Sequence, residues 1–171
     1  YYVMTNFDGF RQIVDSLGGI DVDTAVNLYD TCKLPIAYNG YCSIGPGTVH
    51  MDGETALWYV RSRYSTSDLD RGRRAEEVLK AIFVRFMALD AVNRLPELYD
   101  IYMSSVETNI SLDVLVPLLP MTPHLLEDDL AIQSYTIGAE YVSSYVTEEG
   151  AQVLLPDYYG IKEPLKVAFY E

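Results

Sequence analysis

The sequence is poor in positive charge. Its 171 residues carry 12 Lys and Arg against 25 Asp and Glu, a formal net charge of −13. That balance excludes a general nucleic-acid binder, which needs a basic face. Long apolar runs are also missing: none reaches the ~18 to 20 residues that span a bilayer. Cysteine is limited to Cys32 and Cys42, and histidine to His50 and His124. Two thiols do not make a zinc site, and neither histidine sits at a ligand-like spacing. Neither is expected to have a partner that would make it a catalytic base. There is no internal repeat and no low-complexity tract. The chain opens at "YYVMTNFDGF", with neither an initiator Met nor a signal peptide. It reads as a mature or trimmed piece whose targeting segment, if any, has been removed.

What is present indicates one globular domain. Apolar residues make up 49% and charged residues 22%, and the length suffices to bury a core. The two cysteines lie ten residues apart in "YDTCKLPIAYNGYC", a stretch rich in Tyr, Asn, Gly and Pro. They are expected to close a small disulfide, which points to an oxidising compartment.

"TNFDGFRQIVDSLGG" reads as a helix capped by Thr5 or Asn6, with Phe7, Phe10, Val14 and Leu17 on one face and Gly18-Gly19 as its stop. "IDVD" alternates like a strand. Residues 24–50 carry loop chemistry. "MDGETALWYVRSR" is expected to be a short helix capped by Asp52 that runs out into extended "VRSR". The longest helix is expected over "SDLDRGRRAEEVLKAIFVRFMAL", capped by Ser67 or Asp68. Further helices are expected at 95–106 and at 111–119, the latter capped by Ser111. "LAIQSYTI" is expected to be a strand, and "GIKEPLKVAFY" a helix or strand. Strands alternating with helices suggest an α/β fold.

Half of the cations, six of twelve, fall within residues 58–80. A helical wheel places Val78, Leu79, Ile82, Phe83, Phe86 and Leu89 on the core face of the long helix. Arg73, Lys80, Glu77 and Asp70 fall on the water side. Arg71 and Asp68 project toward the core side, and Arg74 onto its flank. An inward arginine at a helix start costs desolvation unless an anion meets it. Asp68 is one such anion and a ligand is the other. Free N–H groups and the positive dipole end at a helix start suit phosphate. In extended chain Arg61 and Arg63 share a face, about 7 Å apart. Guanidinium forks meet phosphate oxygens two at a time, so four of them would suit a diphosphate. The alternative is structural ion pairing, Arg71 with Asp68 and Arg61 with Glu54. "NIS" at Asn109 has the form of a glycosylation sequon and reads as a helix cap.

"NFDGFRQIVDSLGGIDVD", "MDGETALWYVRSR" and "DLDRGRRAEEVLKAI", in that order and spacing, resemble the LytR-CpsA-Psr family of bacterial cell-envelope proteins. The resemblance is close through residue 90 and weaker over 91–171, where "SVETNISLDVL" continues it. It implies an α/β fold with a central mixed sheet flanked by helices and an apolar tunnel for a polyprenyl chain. It implies phosphotransfer of a glycopolymer, on the extracytoplasmic face of the membrane, from a polyprenyl-pyrophosphate carrier to peptidoglycan or another wall acceptor. Mg²⁺ is the implied cofactor, and an N-terminal transmembrane helix the implied anchor. The family's older label, transcriptional regulator, is not supported by the acidic character of the chain. Carried over by position, Arg61, Arg63, Arg71 and Arg74 correspond to pyrophosphate-binding arginines. Asp68 corresponds to an acidic position that orients an arginine or accepts a proton. Where the family commonly has Gln, this chain has Ala75. The family's first half, with its Mg²⁺-binding Asp residues and a Ser-Ile-Pro-Arg-Asp-like segment, has no counterpart here. The chain is therefore expected to be the C-terminal portion of a longer domain, lacking part of the sheet and inactive alone. Two other readings stand beside this one. The first is a non-catalytic binding module for polyprenyl phosphates or anionic envelope glycans. The second is an acidic structural domain whose arginines only pair with carboxylates.

Overall fold

The computed structural model describes residues 1–63, 68–88, 103–115, 117 and 137–170. The chain divides into two compact units, Tyr1–Asp129 and Leu130–Glu171. The first unit runs β1 (Val3–Thr5), α1 (Phe7–Ser16), β2 (Ile20–Thr24), β3 (Leu28–Thr31), β4 (Tyr41–Ile44) and β5 (Gly47–Met51). It continues with α2 (Gly53–Arg61), α3 (Asp68–Ala88), β6 (Val106–Thr108) and a helical turn at Leu112–Leu115. The second unit holds a 3₁₀ turn at Ala139–Tyr141, a hairpin of β7 (Val142–Val146) and β8 (Gln152–Pro156), and α4 (Lys162–Tyr170). The mixture of helices and strands agrees with the α/β reading. Among the described residues the strands form four antiparallel pairs, β1–β6, β2–β5, β3–β4 and β7–β8. No described helix is long and apolar enough to cross a membrane.

Local chemistry explains the first unit. Asn6, not Thr5, caps α1, its side chain accepting the Gly9 N–H at 2.8 Å. Thr5 instead donates to the Ser105 carbonyl at 2.7 Å. Gly18 and Gly19 end α1 with φ of 74° and 85°, a region open to glycine at little cost. Alternation then buries Ile20, Val22 and Thr24 of β2 against β5, in the register Ile20↔Met51. Ile20, Val22 and Met51 join Val14, Leu17, Leu28, Ile44, Tyr59 and Val78 in one core. Phe7, expected on the core face of α1, is exposed.

Residues 24–50 are more ordered than their turn-rich composition suggests. They hold β3, β4 and most of β5, with Leu28 facing Ile44 and Asp30 facing Cys42 across the β3–β4 pair. The Cys32–Cys42 disulfide closes this hairpin, with the two Cα atoms 5.7 Å apart. Of the expected helix at 95–106, residues 95–102 lie outside the described residues, 103–105 are helical, and Val106 begins strand β6, paired with β1. Asn109 does not cap a helix, since its side chain accepts the Tyr2 N–H at 2.8 Å. His50 does have a partner: Asp21, across the β2–β5 pair, at 2.7 Å, with both side chains exposed. The expected strand "LAIQSYTI" lies outside the described residues apart from Ile137. The hairpin β7–β8 follows it instead. "GIKEPLKVAFY" resolves to helix α4.

Helices α1 and α2 approach closely at Gly53. A Cβ there would lie 2.5 Å from the Arg11 carbonyl oxygen, a backbone atom. The Gly53 N–H donates to Asp15 of α1 at 2.7 Å. Gly53→Ala gains about 1 kcal/mol of helix propensity, but overpacking against backbone costs about 2–3 kcal/mol. The expected result is a net loss of about 1–2 kcal/mol in urea unfolding. Unchanged or increased stability would show that α1 and α2 can separate freely.

Candidate functional site

Helix α2 begins where Asp52 accepts the Thr55 N–H at 2.8 Å. Thr55, through its hydroxyl and its backbone N–H, holds the Asp52 carboxyl below its ordinary range. The helix ends at Arg61, and Ser62 leaves it with extended backbone, φ −57° and ψ 137°. Val60 and Arg61 belong to the helix rather than to the expected extended "VRSR", so Arg61 and Arg63 flank a sharp exit from the helix instead of sharing the face of one strand. Both are exposed. The Arg61 guanidinium lies 4.2 Å from the centre of the Phe7 ring.

Two buried charged groups hold this exit in place. From β3, Asp30 accepts the Arg63 N–H at 2.8 Å, the Ser62 hydroxyl and the Thr31 N–H at 2.6 Å. From α3, Arg74 donates through Nε to the Tyr59 carbonyl at 2.8 Å and through Nη2 to the Ser62 carbonyl. These are carbonyls at the end of α2, where the helix dipole favours a cation. Arg74 is fully buried, at 0% exposure, and burial pulls its pKa below the ordinary value. The Tyr59 ring centre lies 5.8 Å from its guanidinium. Arg74 thus occupies the core rather than the flank expected from the wheel. The buried face of α3 is Arg74–Val78–Ala81, and Leu79, expected in the core, is 65% exposed.

Arg71 lies on α3 one turn before Arg74 and is half-buried. The Arg74–Ser62 contact brings the first turns of α3 beside the Arg61–Arg63 exit. Asp68 opens α3, and its side chain lies outside the described residues, as does Ser67. Arg73 and Glu77 are not plain solvated charges. They form an ion pair, and Glu77 accepts the Tyr59 hydroxyl at 2.6 Å. Burial, reinforced by that hydrogen bond, raises the Tyr59 pKa.

Sequence reasoning missed Asp30, Arg11 and Trp58. Asp30 had a signal: "LYDT" alternates, so Asp30 shares the inward face of Leu28. Trp58 donates through Nε1 to the Thr31 carbonyl at 2.9 Å and ties α2 to β3. Arg11 of α1 pairs with Asp8 and with Glu54 of α2, the latter at 2.6 Å. These groups line a cavity of about 640 Å³ between α1, α2 and the β3–β4 loop, which also includes Lys33, Pro35, Arg61 and Ser62.

The LytR_cpsA_psr family model matches residues 1–162. Biofilm regulatory protein A of Streptococcus mutans is 35% identical over 118 residues, 65% of this chain and 28% of that protein. The polyisoprenyl-teichoic acid–peptidoglycan teichoic acid transferase TagT of Bacillus subtilis is 33% identical over 125 residues, 73% of this chain and 38% of that protein. The chain thus spans about a third of the length of these curated relatives. The crystal structure of B. subtilis TagV shares the fold, with a TM-score of 0.75 and 24% identity over 97% of this chain and 61% of that one. A structure of TagT bound to LIIa-WTA matches with a TM-score of 0.64 and 25% identity, over 96% of this chain and 59% of that one. With the arginine-bearing exit of α2 inside the matched region, the chain belongs to the LytR-CpsA-Psr family.

Proposed function

We propose that this chain is the arginine-bearing part of a cell-envelope phosphotransferase acting outside the cytoplasmic membrane. The donor is a glycopolymer on a polyprenyl-pyrophosphate carrier, and the acceptor is a hydroxyl of peptidoglycan or another wall polymer. The acceptor oxygen forms a bond to the phosphorus that bears the glycan. The anhydride P–O bond breaks, and polyprenyl phosphate leaves with the electron pair. The acceptor proton passes to Asp68 or to solvent. Arg61, Arg63 and Arg71 balance the charge that grows on the leaving phosphate. The observation that carries this reading is the Arg61–Ser62–Arg63 exit, fixed by Asp30 and Arg74 in a chain of this family. A backbone held in this way limits the rearrangement needed to bring these cations onto the charge as it develops. Membrane attachment would come from an anchor outside these residues.

Mg²⁺ is the cofactor that the family resemblance implies. Among the described residues, no group of three or more His, Cys, Asp or Glu side chains is placed to hold a metal ion. The described residues therefore form no ready-made metal cage, and no step above runs through the metal.

The test is calorimetric titration with farnesyl pyrophosphate. Saturable binding is expected, weakened about tenfold or more by Arg61→Ala or Arg63→Ala, as charge-assisted hydrogen bonds are worth about 1.5–3 kcal/mol. Absence of binding, or equal binding by both variants, would sink the assignment. Binding without transfer by the intact protein would favour a non-catalytic binding module.

A further inference from the structure

The cavity between α1, α2 and the β3–β4 loop has a composition unlike that of a phosphate site. Its charged lining is Arg11, Lys33 and Arg61 against Asp30, Asp52 and Glu54, three cations facing three carboxylates. Much of that charge is internally satisfied. Arg11 pairs with Glu54, Asp52 caps α2, and Asp30 holds Ser62 and Arg63. A diphosphate would find little net attraction here. A ligand rich in hydroxyl and amide groups would find donors and acceptors of both kinds. The Trp58 indole, with Leu34, Pro35 and Leu57, supplies the apolar surface. Its Nε1–H is fixed to the Thr31 carbonyl at 2.9 Å, so the ring is a half-buried, oriented platform. The apolar face of a pyranose packs against such a ring while its hydroxyls reach the rim. A volume of about 640 Å³ lies within the range of small-molecule sites.

We propose that this cavity is a saccharide subsite that receives the wall acceptor sugar. The proposal rests on the transferase reading above. Arg61 connects the two sites: it lines the cavity and also belongs to the exit assigned to the pyrophosphate. Trp58 stands one helical turn before Arg61 on α2. A sugar stacked on Trp58 therefore lies within one helical turn of Arg61. The disulfide-closed β3–β4 loop, through Lys33 and Pro35, forms the wall of the cavity opposite α2.

Trp58 is the sole tryptophan of the chain, so its emission reports on this cavity alone. The probe is a tetrasaccharide of alternating N-acetylglucosamine and N-acetylmuramic acid, titrated with and without saturating farnesyl pyrophosphate. A saturable change in Trp58 emission is expected, and it persists in the presence of farnesyl pyrophosphate. By calorimetry, Trp58→Ala is expected to weaken tetrasaccharide binding about tenfold or more, and Trp58→Phe to retain most of it, with farnesyl pyrophosphate affinity unchanged in both. Circular dichroism of Trp58→Phe guards against loss of fold. No saturable emission change, displacement of the sugar by farnesyl pyrophosphate, or equal sugar binding by Trp58→Ala would overturn the subsite. Failure of farnesyl pyrophosphate to bind, with sugar binding intact, would instead overturn the transferase reading.

Discussion

Replacing Arg74 with Ala is expected to lower the unfolding free energy by about 3–5 kcal/mol. Two effects add. The Tyr59 and Ser62 carbonyls lose the buried donor that holds them, and an unsatisfied buried acceptor costs about 1–3 kcal/mol. Removing Arg74, the largest fully buried side chain among the described residues, also leaves a cavity beside Tyr59 and Val78. Arg74→Met fills much of that volume but satisfies neither carbonyl, so it is expected to recover only the packing part. Arg74→Lys keeps the charge but has no rigid fork to reach both carbonyls, so it is expected to fall between Met and Arg. Urea unfolding of the four proteins measures this order. A loss below about 1 kcal/mol for Arg74→Ala would show that the exit of α2 holds without it.

Arg71→Ala, three residues away, is expected to do the reverse. It should lower the unfolding free energy by no more than about 1 kcal/mol, well short of Arg74→Ala, and lower kcat/KM for glycopolymer transfer by the intact protein about 100- to 1000-fold. That factor is the usual effect of removing one preorganised contact to developing charge. Arg71→Lys is expected to recover only part of the rate, because a point charge does not replace a bidentate fork. Near-parental turnover by Arg71→Ala would remove Arg71 from the site. Unfolding by Arg71→Ala would make it a structural arginine like Arg74. The pair therefore separates the arginine that builds the site from the one assigned to the anion.

Much of the helical frame was legible. Asn6 with Gly18-Gly19, and Asp52 with the Arg61 exit, are local signals read within a few residues, and local chemistry decides them. The face of α3 was legible only in part. Apolar periodicity centred the wheel near Ile82 and Phe86, which pack against the core beside Val78 as expected, whereas Arg74 and Ala81 are also buried and Leu79 is exposed. What drew Arg74 inward is a nonlocal polar demand, the open carbonyls at the end of α2, which a hydrophobicity pattern does not contain. The same limit hid the strands in residues 24–50. Each is only four or five residues long, and Pro, Gly and Asn between them dominate the composition. The alternation Leu28–Asp30 was visible, but a carboxylate on an inward face looks like a loop residue until the Ser62 and Arg63 donors that meet it are known. The arginine cluster itself was legible, but not the division of labour within it.

The pairing of β1 with β6 has a consequence for the order in which the first unit assembles. Thr5 faces Val106, whereas Thr31 faces Tyr41 at the end of the β3–β4 hairpin. The sequence separation is about tenfold greater for β1–β6, which adds roughly 2 kcal/mol of closure entropy to that contact. The β3–β4 hairpin and the β2–β5 pair can close early, while β1–β6 waits for the intervening chain to fold. With three residues per strand and β1 exposed along its length, β1–β6 is also the pair least able to resist opening. Its amides are expected to exchange faster than those of β2–β5 and β3–β4, and a newly made chain closes that clasp after those two pairs.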